Sequence, residues 1–534
     1  MVINKKINIV DTPFSSEIIQ DFLNTNKLDG FCSYKNEIKN YEYLINKRLM
    51  FSIEKRKLLY DVISEQYKYI PKVDSVFESI KKLKNKNTFT ITTGHQLCLN
   101  TGPLYFIYKI LQTIKISKEL KKRYPKKNFI PIYWMASEDH DFEEIKSFET
   151  KNNKFQIETK NTGFCTGRVK PLSTNEVLKD LDKNFQNKNF KNEIIDLFNK
   201  SYSSKTNLAE STRTLVHSLF KDYGLIVFDA DNQKFKATFK EIMIDEVKNF
   251  STHKEVSNTV SKLKNHYINK IKVQVNPRKL NLFYLNKNIR YRLSYSGDKY
   301  NVVGTKISFT KDEIIELIHE KPHLFSPNVL LRPIYQETLL PNLSYIGGNA
   351  EISYWLQLKS LFNHHDISFP ILVLRNSFLI LNRRDYNTIN KYNLNIEDFF
   401  CSKNSLIKKI VDKNVVSDTN IDKQISELKS VFKSLLKTTN QIDENLKSTV
   451  ESSKLKQIKI LELLKKKIIK SKKRKISLII TSLEKIHEKI YPKNVFQERK
   501  INFSEYYSFM GEILFNNIYE SIQPFDNSLI VTEI

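Results

Sequence analysis

The sequence predicts an α/β protein: a parallel sheet flanked by helices, followed by a long antiparallel helical hairpin. Three observations predict it. Short apolar runs alternate with amphipathic stretches through the first part of the chain, the pattern left when buried parallel strands are joined by crossover helices. Glycine is scarce, 11 in 534 residues, yet Gly94 and the pair Gly347-Gly348 stand directly after such runs. From Ile371 to Tyr491 there is neither glycine nor proline, too long an interval for ordinary strand-and-turn punctuation.

TFTITT (Thr88 to Thr93) reads as a strand, Pro103 to Arg123 as a helix with proline in its first turn, and FIPIYWMA (Phe129 to Ala136) as a second strand. GLIVFDAD (Gly224 to Asp231) and ILVL (Ile371 to Leu374) are further buried strands, separated by long polar, helix-rich insertions. In the glycine-free interval, Ile421, Ile425, Leu428, Phe432, Leu435, Ile442 and Leu446 step by four and three, with Thr439 at the one polar position. A second stripe runs through Leu461, Leu464 and Ile468, then Ile476, Ile479, Leu483, Ile486 and Ile490. Polar TVESSK (Thr449 to Lys454) between the stripes predicts the turn of a coiled-coil hairpin that stops at Pro492, and such a seam predicts dimerisation.

Composition bounds the function. With 40% hydrophobic residues the chain is globular, and the stretch Pro370 to Leu381 is interrupted by Arg375 and Asn376 well short of a membrane span. Cys32, Cys98, Cys165 and Cys401 lie far apart without a C-x-x-C pair, which predicts reduced thiols in a cytoplasm and no zinc knuckle. A net charge of +28 is what a nucleic-acid binder carries, but the lysines are spread along a chain rich in Lys, Asn and Ile, as an AT-rich coding sequence produces. Only KKKIIKSKKRK (Lys465 to Lys475) is a basic block, so nucleic acid is not an expected partner.

Ligands of open α/β sheets bind outside the carboxyl ends of the strands, so the segments after each strand are the ones to inspect. After the first come Gly94, His95 and Gln96, then Thr101 and Gly102 opening the helix. The glycines allow close approach of backbone to ligand, and helix N–H groups suit a phosphate or carboxylate. After the second comes SEDHDFEEI, where Glu138, Asp139, Asp141, Glu143 and Glu144 surround His140. Carboxylates beside a histidine suit an ammonium group, a divalent ion or a base with a raised pKa. Asp141, Glu143 and Glu144 also suit a helix's first turn, and H-E-x-x-H spacing is absent, so no metal site is assigned. In the third segment, Leu330 to Leu358, Arg332 is a candidate anion fork, Gln336 follows one turn later, and Gly347, Gly348 and Glu351 repeat the strand, glycine turn, helix arrangement. Tyr354, Trp355 and Leu358 fit a core face, and Asp229 and Asp231 are secondary candidates.

Taken in order, TTGHQLCLNTGPLYFIYK, PIYWMASEDHDFEEI, YGLIVFDADNQKFK, SPNVLLRPIYQETLLPNLSYIGGNAEISYW and IYPKNVFQERKINF resemble the bacillithiol biosynthesis cysteine-adding enzymes, the cysteine ligases, across almost the whole chain. The resemblance implies a Rossmann-like core with connecting insertions over residues 1–395, a coiled-coil hairpin over 396–491 that pairs two subunits, and a segment 492–534 returning to the core. It further implies addition of L-cysteine to the amino group of glucosaminyl-malate. The chain departs from the family at His95, where glutamine is common. Activation of a cysteine carboxylate calls for ATP, with Mg²⁺; the expected roles are anion binding by the Gly94 loop, the Thr101–Gly102 helix start and Arg332, orientation of an ammonium group by Glu138, Asp139 or Asp141, and proton acceptance by His140. A nucleotidyltransferase-type enzyme with another substrate, or a coiled-coil scaffold binding nucleic acid, are the alternative readings.

Overall fold

The computed structural model describes residues 2–202, 206–267, 273–414, 421–443, 445–475 and 477–534. The central sheet has five parallel strands, β1 (Thr88–His95), β2 (Asn128–Met135), β3 (Ile226–Asp229), β4 (Asn342–Gly347) and β5 (Ile371–Leu374), in the order β5-β4-β1-β2-β3. This is the 3-2-1-4-5 order of a doubly wound Rossmann-like sheet, and its switch point, where successive crossovers leave in opposite directions, lies between β1 and β4. Register places Gly94 opposite Trp134, Met135 opposite Asp229 and Gly347 opposite Leu374, so the segments singled out in the sequence all emerge at one edge.

The strands are buried because both faces are covered, and their side chains are accordingly mostly apolar or threonine. Helix α1 (Tyr105–Arg123) lies on β1 and β2 with Ile107, Ile110, Leu111 and Ile114 fully buried. The threonines of β1 are not idle in that interior. Thr92 donates to Asn342 Oδ1 at 2.9 Å, and Asn342 Nδ2 in turn donates to Glu337 Oε1 at 2.7 Å. Glu337, at the end of α2 (Arg332–Leu339), is wholly buried and paired with the Arg48 guanidinium, whose Nε donates to the Asn342 carbonyl at 3.0 Å. A charge pair is tolerable there because further donors and acceptors surround it: Arg48 also donates to the Glu337 and Ser368 carbonyls, and Glu337 Oε1 accepts from Gln336 as well as Asn342.

The chain divides into two compact units, Met1–Ile380 with Val495–Ile534, and Leu381–Asn494. In the first, an antiparallel meander (Leu282–Asn286, Ile289–Ser296, Lys299–Val302, Ser308–Phe309 and, beside its first strand, Phe325–Pro327) occupies the insertion before β4. The C-terminal strand Ser528–Glu533 is central in a three-stranded sheet with Val2–Asn8 and Ser377–Leu381.

The second unit contains the hairpin: α4 (Ile421–Ile442), α5 (Leu446–Lys475) and α6 (Ser477–Ile490), α3 being Asn349–Trp355 in the first unit. Lys465 near the end of α5 meets Asp422 at the start of α4 at 2.6 Å, which makes the pair antiparallel. The turn is not at TVESSK. That segment is helical within α5, and the reversal falls at Asp443–Asn445, where Asp443 Oδ1 accepts from the Asn445 N–H at 2.9 Å. Asx side chains close turns on their own backbone, whereas Thr, Val and Ser are merely weak helix formers and do not break one. Ile476 of the second stripe lies outside the described residues. Leu483, Ile486 and Ile490 are buried, but Leu435, Ile442, Leu446 and Leu464 remain exposed.

Replacing Glu337 by leucine strands Arg48 in the interior; the expected loss is about 3–5 kcal/mol of unfolding free energy, read from urea denaturation, with the double change Arg48→Met/Glu337→Leu recovering most of it.

Candidate active site

Two groups of polar side chains meet the carboxyl edge of the sheet, one on each side of β1. The first spans the switch point. Lys109, inside the apolar face of α1 and 2% exposed, donates to the Gly94 carbonyl and to both carboxylate oxygens of Glu351, at 3.0 and 2.8 Å. Glu351 in the first turn of α3 also accepts from Tyr345 OH at 2.6 Å and from the Gly348 N–H at 2.9 Å, capping its own helix. Burial alone would raise its pKa; the Lys109 ammonium and these donors outweigh it and hold the carboxyl below its ordinary value. Gly94 has no room for a side chain, since a Cβ there would stand 2.9 Å from Tyr345 OH.

Two guanidinium groups flank this knot. Arg375, one residue beyond β5, is held by Glu498 at 3.0 and 2.5 Å and lies over the Tyr105 ring, so its charge is neutralised. Arg332, at the start of α2, donates to Tyr354 OH at 2.7 Å and to Gln336 Oε1 at 3.2 Å, and among the described residues no carboxylate pairs with it. Although burial acts to lower its pKa, the Tyr354 and Tyr345 hydroxyls and Glu351 raise it above the ordinary value, so it carries a full positive charge. Gln336 is buried and passes its amide N–H to Glu337, which ties Arg332 to the interior clamp.

The second group follows β2 and β3. Glu138 is paired with the buried Lys236 ammonium, which also donates to the Phe325 carbonyl at 2.8 Å; burial raises the Glu138 pKa and Lys236 opposes it. Asp231 takes a bidentate fork from Arg168, 2.7 Å on each arm, and Asp229 accepts from Ser137. Asp139 accepts from Gln96 Nε2 at 2.8 Å and from the His140 N–H at 2.7 Å, which joins the first loop to the second. Arg290, delivered by the meander, donates to His140 Nδ1 at 3.3 Å and stands 3.9 Å from Asp139 Oδ1. Burial and then the Arg290 charge lower the His140 pKa, so the ring is neutral near pH 7 with its proton on Nε2. Asp141 caps the short helix Phe142–Ile145, accepting from the Glu144 N–H at 3.2 Å.

The expected helix start at Thr101–Gly102 is corrected. The helix begins at Tyr105; Thr101 and Gly102 both have positive φ, and the Gly102 N–H is bound to the Leu99 carbonyl at 2.9 Å. Asn502 fastens this loop from outside, donating to the Asn100 and Gly102 carbonyls at 2.7 and 2.5 Å. Gly102 is required for another reason, because a Cβ would come within 2.7 Å of Cys98 Cβ. Gly347 and Gly348 stand beside Glu351, and a Cβ at Gly348 would make ordinary contacts with Arg375 Nε and Glu351 Oε2, each at 3.7 Å.

Sequence reasoning passed over Lys109, Lys236, Arg168, Arg290 and Arg375. Lys109 had a signal: it is a lone charge in the run YFIYKILQTI. Arg375 also did, at the end of ILVL. Nothing local marks Arg290, which reaches His140 across 150 residues of chain.

Two family models cover the chain. Bacillithiol biosynthesis BshC, N-terminal Rossmann-like domain, matches residues 4–376, and Bacillithiol biosynthesis BshC, C-terminal coiled-coil domain, matches residues 378–534. The chain belongs to the BshC family. Relatives named "Putative cysteine ligase BshC" come from Flavobacterium johnsoniae (39% identical, over 97% of this chain and 98% of the relative), Christiangramia forsetii (36%, 98% and 97%) and Cytophaga hutchinsonii (32%, 97% of each). In this BshC chain His95 is stacked on Tyr105 at 5.2 Å, its Nδ1 accepts from the Gln96 N–H at 2.8 Å, and its buried Nε2 has no hydrogen-bond partner among the described residues. Burial, then Lys109, pushes its pKa down to about 3.

A histidine lowered from 6.5 to about 3 on folding leaves the unfolded chain binding the extra proton between those values, so stability falls as pH drops through that window. His95→Gln is therefore expected to flatten the acid limb of thermal stability between pH 6 and about 3.5, measured by differential scanning fluorimetry, while the wild-type limb stays steeper.

Proposed function

We propose that this protein is a ligase that joins the carboxyl group of L-cysteine to the amino group of glucosaminyl-malate through an amide bond, in bacillithiol biosynthesis. Family membership and the names of its relatives support the cysteine and pathway parts of this reading. The single structural observation that carries it is Arg332, a cation without a carboxylate partner among the described residues, at the switch point of the sheet. Every other buried cation at this edge has a carboxylate in contact or within 4 Å; Arg332 has room in its charge balance for an anion from a substrate.

The opposite side suits an amine. Asp139, Asp141 and Glu144 are accessible carboxylates beside a neutral imidazole, and an ammonium group docked among them is oriented and readied for deprotonation. In the present arrangement Arg290 occupies His140 Nδ1. The guanidinium is anchored through Nε on Ser326 Oγ at 3.1 Å and Nη2 on the Pro327 carbonyl at 2.7 Å, and its Nη1 stands 3.9 Å from Asp139 Oδ1, so a slight shift of Nη1 toward that carboxylate frees Nδ1 to accept the proton. Glu138 is committed to Lys236 and serves to position the loop.

Amide formation expels a carboxylate oxygen, which requires activation, and ATP is the proposed activator. Asp245, His364 and His365 form the metal-competent cluster found among the described residues, and they stand away from the strand ends in sequence. Mg²⁺ is thus proposed to arrive on the nucleotide phosphates, as it commonly does, with Arg332 and the Gly348 turn receiving the anion. The proposed setting is the cytoplasm, where free thiols persist; the four cysteines are free. No helix among the described residues is long and apolar enough to cross a membrane.

Purified protein supplied with cysteine and glucosaminyl-malate is expected to form product only with ATP and Mg²⁺, and Arg332→Gln to lower kcat/KM by about 10- to 100-fold, the worth of one charged hydrogen-bonding group. Equal product without nucleotide removes the ATP step; an unimpaired Arg332→Gln removes the anion site. The exposed apolar positions Leu435, Ile442, Leu446 and Leu464 support a homodimer through the hairpin. Light scattering is expected to return the mass of two chains for the wild type and of one chain when Leu435 and Leu464 are both changed to Glu.

A further inference from the structure

Away from the strand ends in sequence, three metal-ligating side chains converge in the insertions. Asp245 lies on the helix Lys240–Asn249, His364 closes the helix Lys359–His364, and His365 is the next residue. Asp245 Oδ2 is 3.0 Å from His364 Nε2 and 4.0 Å from His365 Nε2, and one ligand atom from each of the three falls within 4.8 Å of the others. Tetrahedral zinc with bonds of about 2.0–2.2 Å separates its ligands by about 3.3 Å, so a small closure of these atoms completes the geometry.

The decisive residue is His365. Its side chain is 7% exposed, and its Nε2 has no hydrogen-bond partner among the described residues although it points at the Asp245 carboxylate. A buried ring nitrogen with nothing to bond to costs free energy, and here it aims at the one place where an ion would satisfy it. Asp245 is already oriented for the task. Asn249 Nδ2 donates to its Oδ1 at 2.7 Å and leaves Oδ2 toward the two rings, the arrangement by which an outer hydrogen bond aims a ligating carboxylate. The charged or titratable neighbours acting on His365 among the described residues are Asp245 and His364.

We propose that Asp245, His364 and His365 bind a divalent transition-metal ion of the Zn²⁺ class, with two imidazoles and one carboxylate as ligands and water at the open position. Two nitrogen ligands select Zn²⁺, Co²⁺ or Ni²⁺ over Mg²⁺ and Ca²⁺, so the site is distinct from any ion carried by a nucleotide. The ion would clip the helix Lys240–Asn249 to the segment leading into β5.

Full-length protein stripped with chelator and titrated with Zn²⁺ by calorimetry is expected to show one site per chain, weakened at least about tenfold in His364→Ala and in Asp245→Asn. His364 is a surface ring, so that variant keeps its fold, checked by circular dichroism; if His365→Ala unfolds, the other two variants decide the matter. Co²⁺ loaded in place of Zn²⁺ is expected to give visible d–d bands without thiolate charge-transfer absorption. Absence of a stoichiometric site, affinity unchanged in both variants, or a thiolate band pointing to the cysteines would each overturn the proposal.

Discussion

The buried ion pair between Lys109 and Glu351 governs the arrangement of the carboxyl edge. Lys109 sits on the helix that follows β1, Glu351 on the helix that follows β4, and the switch point opens between those strands. A lysine ammonium in that interior is sustained only by the carboxylate and by the Gly94 carbonyl, and the carboxylate needs the Tyr345 hydroxyl and the Gly348 N–H as well. Each partner thus depends on several backbone and side-chain positions at once. The two turns that frame the crevice are held in register by one shared charge pair, and the absence of a side chain at Gly94 is the steric condition for it.

Around this knot the charges are paired almost completely. Glu138 with Lys236, Asp231 with Arg168, and Arg375 with Glu498 are each local and nearly neutral, which keeps the field at the edge from being a simple sum of its many ionic groups. The chain's +28 charge therefore says little about the edge. What matters is the remainder: Arg332 on one side of β1, and Asp139, Asp141 and Glu144 with His140 on the other. A cationic end and an anionic end are the charge pattern on which the proposed joining of a carboxylate to an amine rests.

Much of this was legible in the sequence because the signals were local. β-Branched runs followed by glycine mark the strand ends, and heptad stripes mark the hairpin; its turn is less legible because polar TVESSK resembles a break, whereas the reversal rests on the Asp443 side chain accepting from the Asn445 N–H. Glu351 and Gln96 could be named because they stand within a few residues of strand ends, and Arg332 because an arginine beside Pro333 is a candidate anion fork. Arg290 and Asn502 could not, since their roles arise from tertiary contacts made by a meander and by the C-terminal segment, and nothing in the residues beside them announces a target. Thr101 and Gly102 resemble a helix start because Pro103 suits a helix's first turn; the left-handed backbone there instead makes a tight loop.

That loop has a further consequence for how the molecule comes into being. Its carbonyls at Asn100 and Gly102 are held by Asn502, 402 and 400 residues downstream, and Arg375 is neutralised by Glu498. During synthesis the five strands can be complete while these acceptors and this cation still await partners that the ribosome has not yet released. The core can condense early, but the crevice acquires its final shape only when the last stretch of chain arrives, so a partly made chain holds the scaffold without a competent site.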